Sequence, residues 1–339
     1  MITNKFQKKA YDAVAAALPF KIDPGKVTVE PGTSYLPSPI KMHDYAAGVM
    51  AAFGSVVEHL GVIRGLPSQT MKLNRRLCGF HLNELQVQFL NGYSIMIDAW
   101  PMGPDNGTYR AKDGRYLTII GLHPHLRDGL LSYFDCANSQ AAIQRAVEKK
   151  TAQQHEDELA RLNLAAGMVR TPEEWSAHPQ GIATERRSMV DVEQKTNKRK
   201  RFLGPAKHRP LEGVRVLELT HVIAGPTAGA WLAEQGADVI KVQPTHGDWI
   251  TPIWLSNSWG KKNILLDMKS AYGKQRFTEL LTDADVFLEG QRPGVLEHLG
   301  FDESVCEQIN PNLVLTTEHY CPLAHPGPRV ADLNRLHKP

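Results

Sequence analysis

The sequence has few cysteines and lacks the apolar runs of secreted or membrane proteins. Its 339 residues include four cysteines, Cys78, Cys136, Cys306 and Cys321, and none of them form a Cys-x-x-Cys pair. This number in a chain of this length excludes a disulfide framework and is typical of small buried side chains in a reducing compartment. No apolar run approaches the roughly 20 residues that cross a bilayer, and no signal-like apolar segment follows the N-terminal lysines. We therefore expect a cytoplasmic protein that does not bind a membrane.

The chain also has little net charge, and it lacks the common nucleotide-binding motifs. The net charge is +3, with the positive excess concentrated in residues 195–209, so composition does not favour a nucleic-acid partner. There is no Gly-x-Gly-x-x-Gly and no Walker A sequence, which makes a nicotinamide-dependent redox enzyme the least favoured class. His123 and His125 lack a third ligand at metal spacing, so no metal cofactor is expected. The basic run Lys198–Arg201 indicates a solvated linker, with a phosphate-binding or nuclear-localisation patch as the alternative.

What the sequence does contain is a strand–turn–helix–strand unit between Pro210 and Gln243. Its apolar run predicts a buried strand at Val214–Leu219, and a tight turn follows at Thr220–Pro226. Thr227 is placed to cap a helix over residues 228–235, and a second strand is predicted at Asp238–Gln243. Such a unit builds a parallel sheet, and the loop between strand and helix is where an anionic ligand binds.

The first half of the chain has different local signals. Residues Tyr109–Ile120 alternate polar and apolar around Asp113-Gly114, which predicts a β-hairpin with a two-residue turn. Thr171-Pro172-Glu173-Glu174 is a capping box with proline at the first helical position. A long apolar run from Asp44 contains repeated glycines, and small residues inside a helix indicate close packing against a neighbour.

Four segments in order resemble the class III coenzyme A transferases. They are the unit at Pro210–Gln243, WGKKNILLDMK at Trp259–Lys269, ADVFLEGQRPGVL at Ala284–Leu296 and NPNLV at Asn310–Val314. This family includes formyl-CoA transferase, carnitine CoA-transferase and α-methylacyl-CoA racemase. The order and spacing of the four segments match those of the family.

The first half resembles a later part of the same family. DYAAGVMAAFG at Asp44–Gly54, the hairpin with Asn106–Tyr109 before it, and TPEEW at Thr171–Trp175 are similar to family segments that follow the catalytic residue. A late portion therefore precedes an early one. The chain is similar to a tandem-repeat relative whose first copy lacks its start and whose second copy stops early.

The resemblance implies an α/β fold with two parts. We expect a doubly wound, parallel Rossmann-type sheet and a second, smaller domain that is helical and carries the hairpin. The predicted boundaries are an N-terminal extension (1–39), the helical and hairpin-bearing domain (40–194), a basic linker (195–209), the CoA-binding domain (210–322) and an irregular tail (323–339). Family members are interlocked dimers, so a homodimer is implied.

The resemblance also implies a set of coenzyme A contacts. The turn after the first strand supplies five of the implied contacts, namely Thr220 and the four residues that follow it. The other contacts come from later strands and loops. The implied residues are His221, Val222, Ile223, Ala224, Lys241, Leu265, Gly290, Gln291, Arg292 and His298.

Each of these residues has a purely structural alternative. The turn at His221–Ala224 can be a strand-to-helix turn without a ligand, and Lys241 an exposed lysine at a strand end. Gly290 and Gln291 stand where many family members have asparagine and an aromatic residue, which weakens the implied contact at that loop.

No catalytic residue can be named from the sequence. In the transferases an aspartate after a Tyr-Gly-x-x-Gly-Pro motif attacks the acyl-CoA, and in the racemases a His-Asp pair exchanges a proton at the α-carbon. Here only Tyr320 and Gly327-Pro328 resemble the motif, at too long a spacing, and Asp332 follows too closely. Asp44 matches a later, structural aspartate of the family.

The sequence thus leads to a principal hypothesis and one alternative. The principal hypothesis is an acyl-CoA-handling enzyme that moves coenzyme A between carboxylic acids or epimerises an α-substituted acyl-CoA, with acyl-CoA and a carboxylic acid as its partners. The alternative is a catalytically inactive or partner-dependent homologue that binds coenzyme A.

Overall fold

The structure of the chain is a computed structural model that describes residues 2–35, 38–82, 88–95, 103–185, 192–193, 203–247 and 250–317. The described residues fall into two compact units. The first unit contains residues 2–95 and 192–317, and the second contains residues 103–185. The predicted domain boundaries stay predictions. Residues 40–95 of the predicted helical domain share a unit with residues 203–317.

Helices form much of both units. Within the described residues they are α1 (Lys5–Ala17), α2 (Met42–Ile63), α3 (Arg75–Phe80), α4 (Pro124–Phe134), α5 (Gln140–Val147), α6 (Ala152–Arg161), α7 (Pro172–Ala177), α8 (Pro179–Glu185), α9 (Ala224–Glu234), α10 (Thr251–Ser256), α11 (Ala271–Asp283), α12 (Val295–Leu299) and α13 (Glu303–Ile309). A short 3-10 helix lies at Pro24–Lys26.

In the part of the chain that the structure describes, the strands form one large sheet and three small ones. They are β1 (Val27–Glu30), β2 (Met71–Asn74), β3 (Phe89–Leu90), β4 (Tyr93–Ser94), β5 (Asn106–Arg110), β6 (Tyr116–Ile120), β7 (Ala166–Met168), β8 (Arg215–Leu219), β9 (Asp238–Gln243), β10 (Lys262–Leu265), β11 (Val286–Glu289) and β12 (Val314–Thr317). The large sheet has the order β10-β9-β8-β11-β12, and every neighbouring pair in it is parallel. The prediction of an α/β chain with a parallel sheet is confirmed.

Strand β8 is the centre of this sheet and is buried on both sides. Leu217 belongs to an apolar cluster with Phe277 and Phe287, whereas Val216 belongs to a separate cluster with Val239. Because successive side chains of a strand point to opposite faces, the two clusters cover opposite faces of the sheet. A short, mainly apolar run is the sequence pattern of such a strand, which is why Val214–Leu219 predicts it within one residue.

The helix after β8 begins earlier than the sequence predicts. Helix α9 starts at Ala224, four residues before the predicted start, and Thr227 lies inside it. The predicted capping role of Thr227 is therefore wrong, and its hydroxyl instead donates to Asn257 Oδ1 at 3.0 Å. Proline is favoured in the first turn of a helix, so Pro226 continues this helix where the sequence analysis assigned it to the turn. After the helix, Gly236 has a φ of +100°, the left-handed conformation that ends many helices.

Helix α2 packs closely against α1 in the first unit. A Cβ at Gly48 would overlap the carbonyl of Gln7 and lie 2.7 Å from Ala10 Cβ, so only glycine allows this approach. The parallel pair β1 and β2 extends the same packing. Residues of the predicted N-terminal extension thus form part of the compact unit.

Helix α2 is, by length and composition alone, long and apolar enough to cross a membrane, although Asp44 and Glu58 interrupt its apolar residues. Ala47, Ala51 and Ala52 on this helix are fully buried, and its Asp44 is ion-paired inside the unit. Such burial within the first unit is typical of a core helix.

The second unit contains the predicted hairpin, with a different turn. Strands β5 and β6 pair antiparallel, and β7 adds a third strand. The turn is longer than two residues, since Arg110 and Tyr116 are the last strand pair and only Gly114 has a positive φ, +78°. Asp113 stays out of the left-handed conformation, and its Oδ1 accepts from Ala152 N at 3.3 Å.

The capping box at α7 is confirmed. Thr171 Oγ1 accepts from Glu174 N at 3.2 Å, and Glu174 Oε2 accepts from Thr171 N at 2.9 Å. Local signals of this kind involve residues three positions apart, so the sequence contains all the information.

Candidate functional site

The carboxyl ends of the five parallel strands form one edge of the large sheet. At this edge the connection after β8 leads toward β9 on one side, while β11 lies on the other side of β8. Such a reversal of strand order is a topological switch point, and ligands of open α/β sheets bind in the crevice outside it. The predicted contact residues of the turn after β8 and of the loop after β11 lie at this point.

The segment between β8 and α9, residues 220–223, is here called the switch-point loop. His221, Val222 and Ile223 are exposed. Ala224, the first residue of helix α9, is exposed as well. Val222 has a φ of +65°, a conformation that a β-branched residue rarely adopts. Backbone strain of this kind persists only where the surrounding structure fixes the loop.

The loop after β11 is held against the end of β8. Gln291 Nε2 donates to the carbonyl of Leu219 at 3.1 Å, and Gly290 N donates to the same carbonyl at 3.1 Å. The Gln291 backbone N–H donates to Glu289 Oε2 at 2.9 Å. The structure therefore brings Gly290 and Gln291 to the base of the switch-point loop. There both residues form hydrogen bonds with other residues of the protein.

The remaining predicted residues are spread along the same edge. Arg292 is exposed directly after Gln291, and Leu265 at the end of β10 is 61% exposed. His298 is exposed in the last turn of the short helix α12, several residues beyond the loop.

Lys241 has a different position from the one predicted. It lies on β9 opposite Glu218 of β8, and the two side chains are 5% and 0% exposed. Lys241 Nζ is 3.4 Å from Glu218 Oε1. The structural alternative, an exposed lysine at a strand end, is therefore wrong. The phosphate contact implied for Lys241 stays a prediction, and it concerns a side chain that is buried and paired with Glu218.

Glu218 and Lys261 complete a buried charged network beneath helix α9. Lys261 Nζ donates to Glu218 Oε2 at 2.7 Å and to the carbonyl of Pro226 at 2.6 Å. Thr220 Oγ1 donates to Glu218 Oε1 at 2.7 Å. A Cβ at Gly229 would overlap the Glu218 carboxylate and lie 2.9 Å from Lys261 Nζ, so glycine leaves room for the pair.

Two lysines share one carboxylate in this network. Burial lowers the pKa of Lys241 below its ordinary value, although the charge of Glu218 opposes the shift. Burial also lowers the pKa of Lys261 to about 8, against the attraction of Glu218, and the charge of Lys241 adds to the lowering. The physical reason is that moving an ammonium group out of water penalises its charged form.

The sequence did not indicate that Glu218 and Lys261 are members of the site. The signal available for Glu218 was a carboxylate between Leu217 and Leu219 in a strand predicted to be buried, since an ion buried on both sides requires a partner. Lys261 lies 43 residues away along the chain, and no local pattern links the two.

Other candidates of the sequence analysis have a structural role or lie outside the described residues. Asp44 is bound by Arg75 through Nε at 2.6 Å and by Gln7 Nε2 at 3.0 Å, a buried arrangement that suits the predicted structural role. Tyr320, Gly327-Pro328, Asp332 and the basic run Lys198–Arg201 lie outside the described residues. The rings of His123 and His125 stack with centroids 5.7 Å apart, and the described residues contain no cluster of three metal-ligating side chains.

Comparison with known proteins gives one consistent family. The family model CoA-transferase family III matches residues 211–319. An acyl-CoA transferase of Gibberella moniliformis is 37% identical over 176 residues, which cover 50% of this chain and 31% of that protein. A formyl-CoA:oxalate CoA-transferase of Streptomyces coelicolor is 39% identical over 118 residues, 31% of this chain and 28% of that protein.

A probable fatty acyl-CoA transferase, Rv3272 of Mycobacterium tuberculosis, is 40% identical over 123 residues, 32% of this chain and 31% of that protein. One crystal structure of Rv3272 aligns with 33% of this chain and 34% of its own, at 36% identity and a TM-score of 0.31. The chain therefore spans about a third of the length of these relatives.

Proposed function

We propose that the chain binds coenzyme A esters at the carboxyl edge of its parallel sheet, on the basis that residues 211–319 match the CoA-transferase family III model. The observation that carries the proposal is the bond from Gln291 Nε2 to the Leu219 carbonyl, 3.1 Å long, which joins the loops after β8 and β11 at the switch point. The strand order, in which the first strand lies between the second and the fourth, supports a doubly wound, Rossmann-type sheet.

The side chains at this edge fit the chemistry of coenzyme A. Its diphosphate and 3′-phosphate are anionic, and the exposed Arg292 and His221 are a cation and a titratable donor within the same pair of loops. Its adenine and pantetheine are partly apolar, and Val222, Ile223 and Leu265 expose 41%, 48% and 61% of their surface. Exposed aliphatic side chains beside a cation suit a ligand with both properties.

The reaction that we propose is transfer of coenzyme A between carboxylic acids. By resemblance, an enzyme carboxylate attacks the acyl-CoA carbonyl, so that the thiolate leaves and an enzyme–acyl anhydride forms. The thiolate then attacks that anhydride at the enzyme carboxyl, which releases the first carboxylic acid and leaves a thioester on the enzyme. We assign this carboxylate to no residue, because the part of the chain that follows Thr317 lies outside the described residues.

Two other activities remain as alternatives under the same family. A racemase would exchange the proton at the α-carbon of the acyl group without a covalent intermediate. A coenzyme A-binding homologue would bind the ester without turnover. The proposed homodimer and cytoplasmic location rest on the resemblance and on composition.

The experiment that separates these possibilities is mass spectrometry of the purified chain with a panel of acyl-CoA esters, with hydroxylamine added to trap anhydrides and thioesters. We expect a trapped derivative on a single carboxylate. Deuterium incorporation at the α-carbon without an adduct would support the racemase instead. Binding without either reaction would support the homologue, and absence of binding to every ester would contradict the proposed function.

A further inference from the structure

The buried network at the end of β8 contacts the switch-point loop from both sides. Thr220, the first residue of the loop, donates to Glu218 Oε1 at 2.7 Å. Pro226, just after the loop in the first turn of α9, accepts from Lys261 Nζ at 2.6 Å. Because Lys261 also donates to Glu218 Oε2 at 2.7 Å, one continuous series of hydrogen bonds joins the two ends of the loop.

We propose that the Glu218–Lys261 pair positions the switch-point loop for coenzyme A, with Lys261 acting as a positioning residue that does not touch the ligand. The inference rests on the proposed function, since it assigns a role within the same site. Lys261 has a side chain that is 0% exposed, which separates it from any ligand in the crevice.

The loop requires such support because its backbone is strained. Val222 keeps a φ of +65° while its side chain is 41% exposed, so packing of that side chain does not hold the conformation. A strained residue persists only where its surroundings over-determine it. The hydrogen bonds at Thr220 and Pro226 fix the chain on either side of Val222, and Gly229 provides the space that the pair needs.

The charge of Lys261 makes the positioning dependent on pH. The charged groups that face Lys261 are Glu218 from β8 and Lys241 from β9, while α9 contributes the Pro226 carbonyl and Gly229. Burial lowers the pKa of Lys261 to about 8. Above that pH the neutral amine attracts Glu218 less strongly, so we expect the loop to loosen as pH rises through this value.

The chain offers a matched control for this lysine. Lys262 is the next residue, but its side chain is 66% exposed and pairs with Asp238 at the surface. Lys261→Met and Lys262→Met therefore remove the same charge from adjacent positions, one inside the network and one outside it. Thr220→Val removes the hydroxyl that bonds Glu218 and keeps both lysines.

Two measurements test the proposal on these variants. The first is hydrogen–deuterium exchange of the backbone amides of residues 221–225 in the free protein. The second is the dissociation constant for coenzyme A between pH 6.5 and 9.5. For Lys261→Met we expect faster amide exchange, an affinity about tenfold weaker at pH 7, and no inflection near pH 8, as loss of one buried charge-assisted bond implies.

The controls define the outcomes. Lys262→Met should keep the exchange rates, the affinity and the pH inflection of the wild-type protein. Thr220→Val should speed the exchange of the loop amides and keep the inflection near pH 8 in the affinity for coenzyme A. If Lys261→Met does not fold, the exchange rates of Thr220→Val test the proposal. Wild-type exchange in Thr220→Val, or wild-type affinity and pH profile in a folded Lys261→Met, would overturn the proposal. A wild-type protein that binds no coenzyme A would instead refute the proposed function, while the exchange measurement would still test the loop.

Discussion

The ring of Phe53 lies 4.6 Å from the ring of Trp231, centroid to centroid. Phe53 belongs to helix α2, and Trp231 belongs to helix α9, which follows the switch-point loop. The segment that resembles a late part of the family therefore packs directly against the part of the chain that matches the CoA-transferase family III model. Burying aromatic rings against each other stabilises such a contact beyond the area removed from water.

Arg64, just after helix α2, joins this helix to the segment that precedes β8. Its guanidinium donates to the carbonyls of Gly204, Pro210 and Glu212 at 2.8, 2.8 and 3.0 Å. We expect Arg64→Met to lower the free energy of unfolding by about 3 kcal/mol, because charge-assisted bonds are lost and three carbonyls lose a donor. Urea denaturation measures this change.

The matched control for Arg64 is Arg161, an exposed arginine at the end of α6. Arg161→Met should change the free energy of unfolding by less than about 0.5 kcal/mol. Equal effects of the two substitutions would contradict a specific role of Arg64 at the junction.

A second prediction concerns the glycine above the buried network. Gly229→Ala places a Cβ against the Glu218 carboxylate, and neither the carboxylate nor Lys261 has free space into which to move. We expect a loss of about 2 kcal/mol in the free energy of unfolding, as overpacking of a filled interior implies.

Gly61 in helix α2 provides the comparison, because a Cβ there would meet Leu66 at an ordinary 3.7 Å. Gly61→Ala should stabilise the protein by up to about 1 kcal/mol through helix propensity. We expect these two helical substitutions to change the free energy of unfolding in opposite directions. Stabilisation by Gly229→Ala would show that the space beside Glu218 can hold a methyl group.

A third prediction concerns pH and the second unit. Burial alone would raise the pKa of Glu156, but hydrogen bonds from Arg170 and from the Met168 N–H lower it below its usual value. A carboxyl group with a lowered pKa stabilises the folded state above its unfolded pKa, and this contribution is lost as pH falls through the folded value. The wild-type protein should therefore lose stability on acidification below about pH 4.5.

Arg170→Met tests the origin of this pH dependence. It leaves Glu156 buried without its cation, so we expect a loss of about 3 kcal/mol at pH 7 and a smaller further loss on acidification. Arg127→Met, at an exposed pair with Asp128, should change neither quantity. An Arg170→Met protein with wild-type stability at pH 7 would contradict the assignment.

The sequence predicted those features that depend on neighbouring residues. The strand at Arg215–Leu219, the hairpin at Asn106–Ile120 and the capping box at Thr171 each follow from a pattern of a few positions. The four family segments indicated the parallel sheet and the edge at which the switch-point loop lies.

What the sequence did not predict depends on residues far apart in the chain. The bonds of Arg64 reach residues 140 to 148 positions away, and the Lys261–Glu218 pair spans 43 positions. No local periodicity records which buried lysine meets which carboxylate. For the same reason the sequence did not indicate that Lys241 lies opposite Glu218.

The central claim is that the carboxyl edge of the large sheet binds coenzyme A, and calorimetric titration with coenzyme A tests it most directly. Arg292 lies in the loop at that edge, whereas Arg215 begins β8 at the opposite edge and is also partly exposed. We expect the wild-type protein and Arg215→Met to bind with similar affinity, and Arg292→Met to bind about tenfold more weakly through loss of a phosphate contact. Absence of binding by the wild-type protein, or equal affinity of all three proteins, would contradict the account.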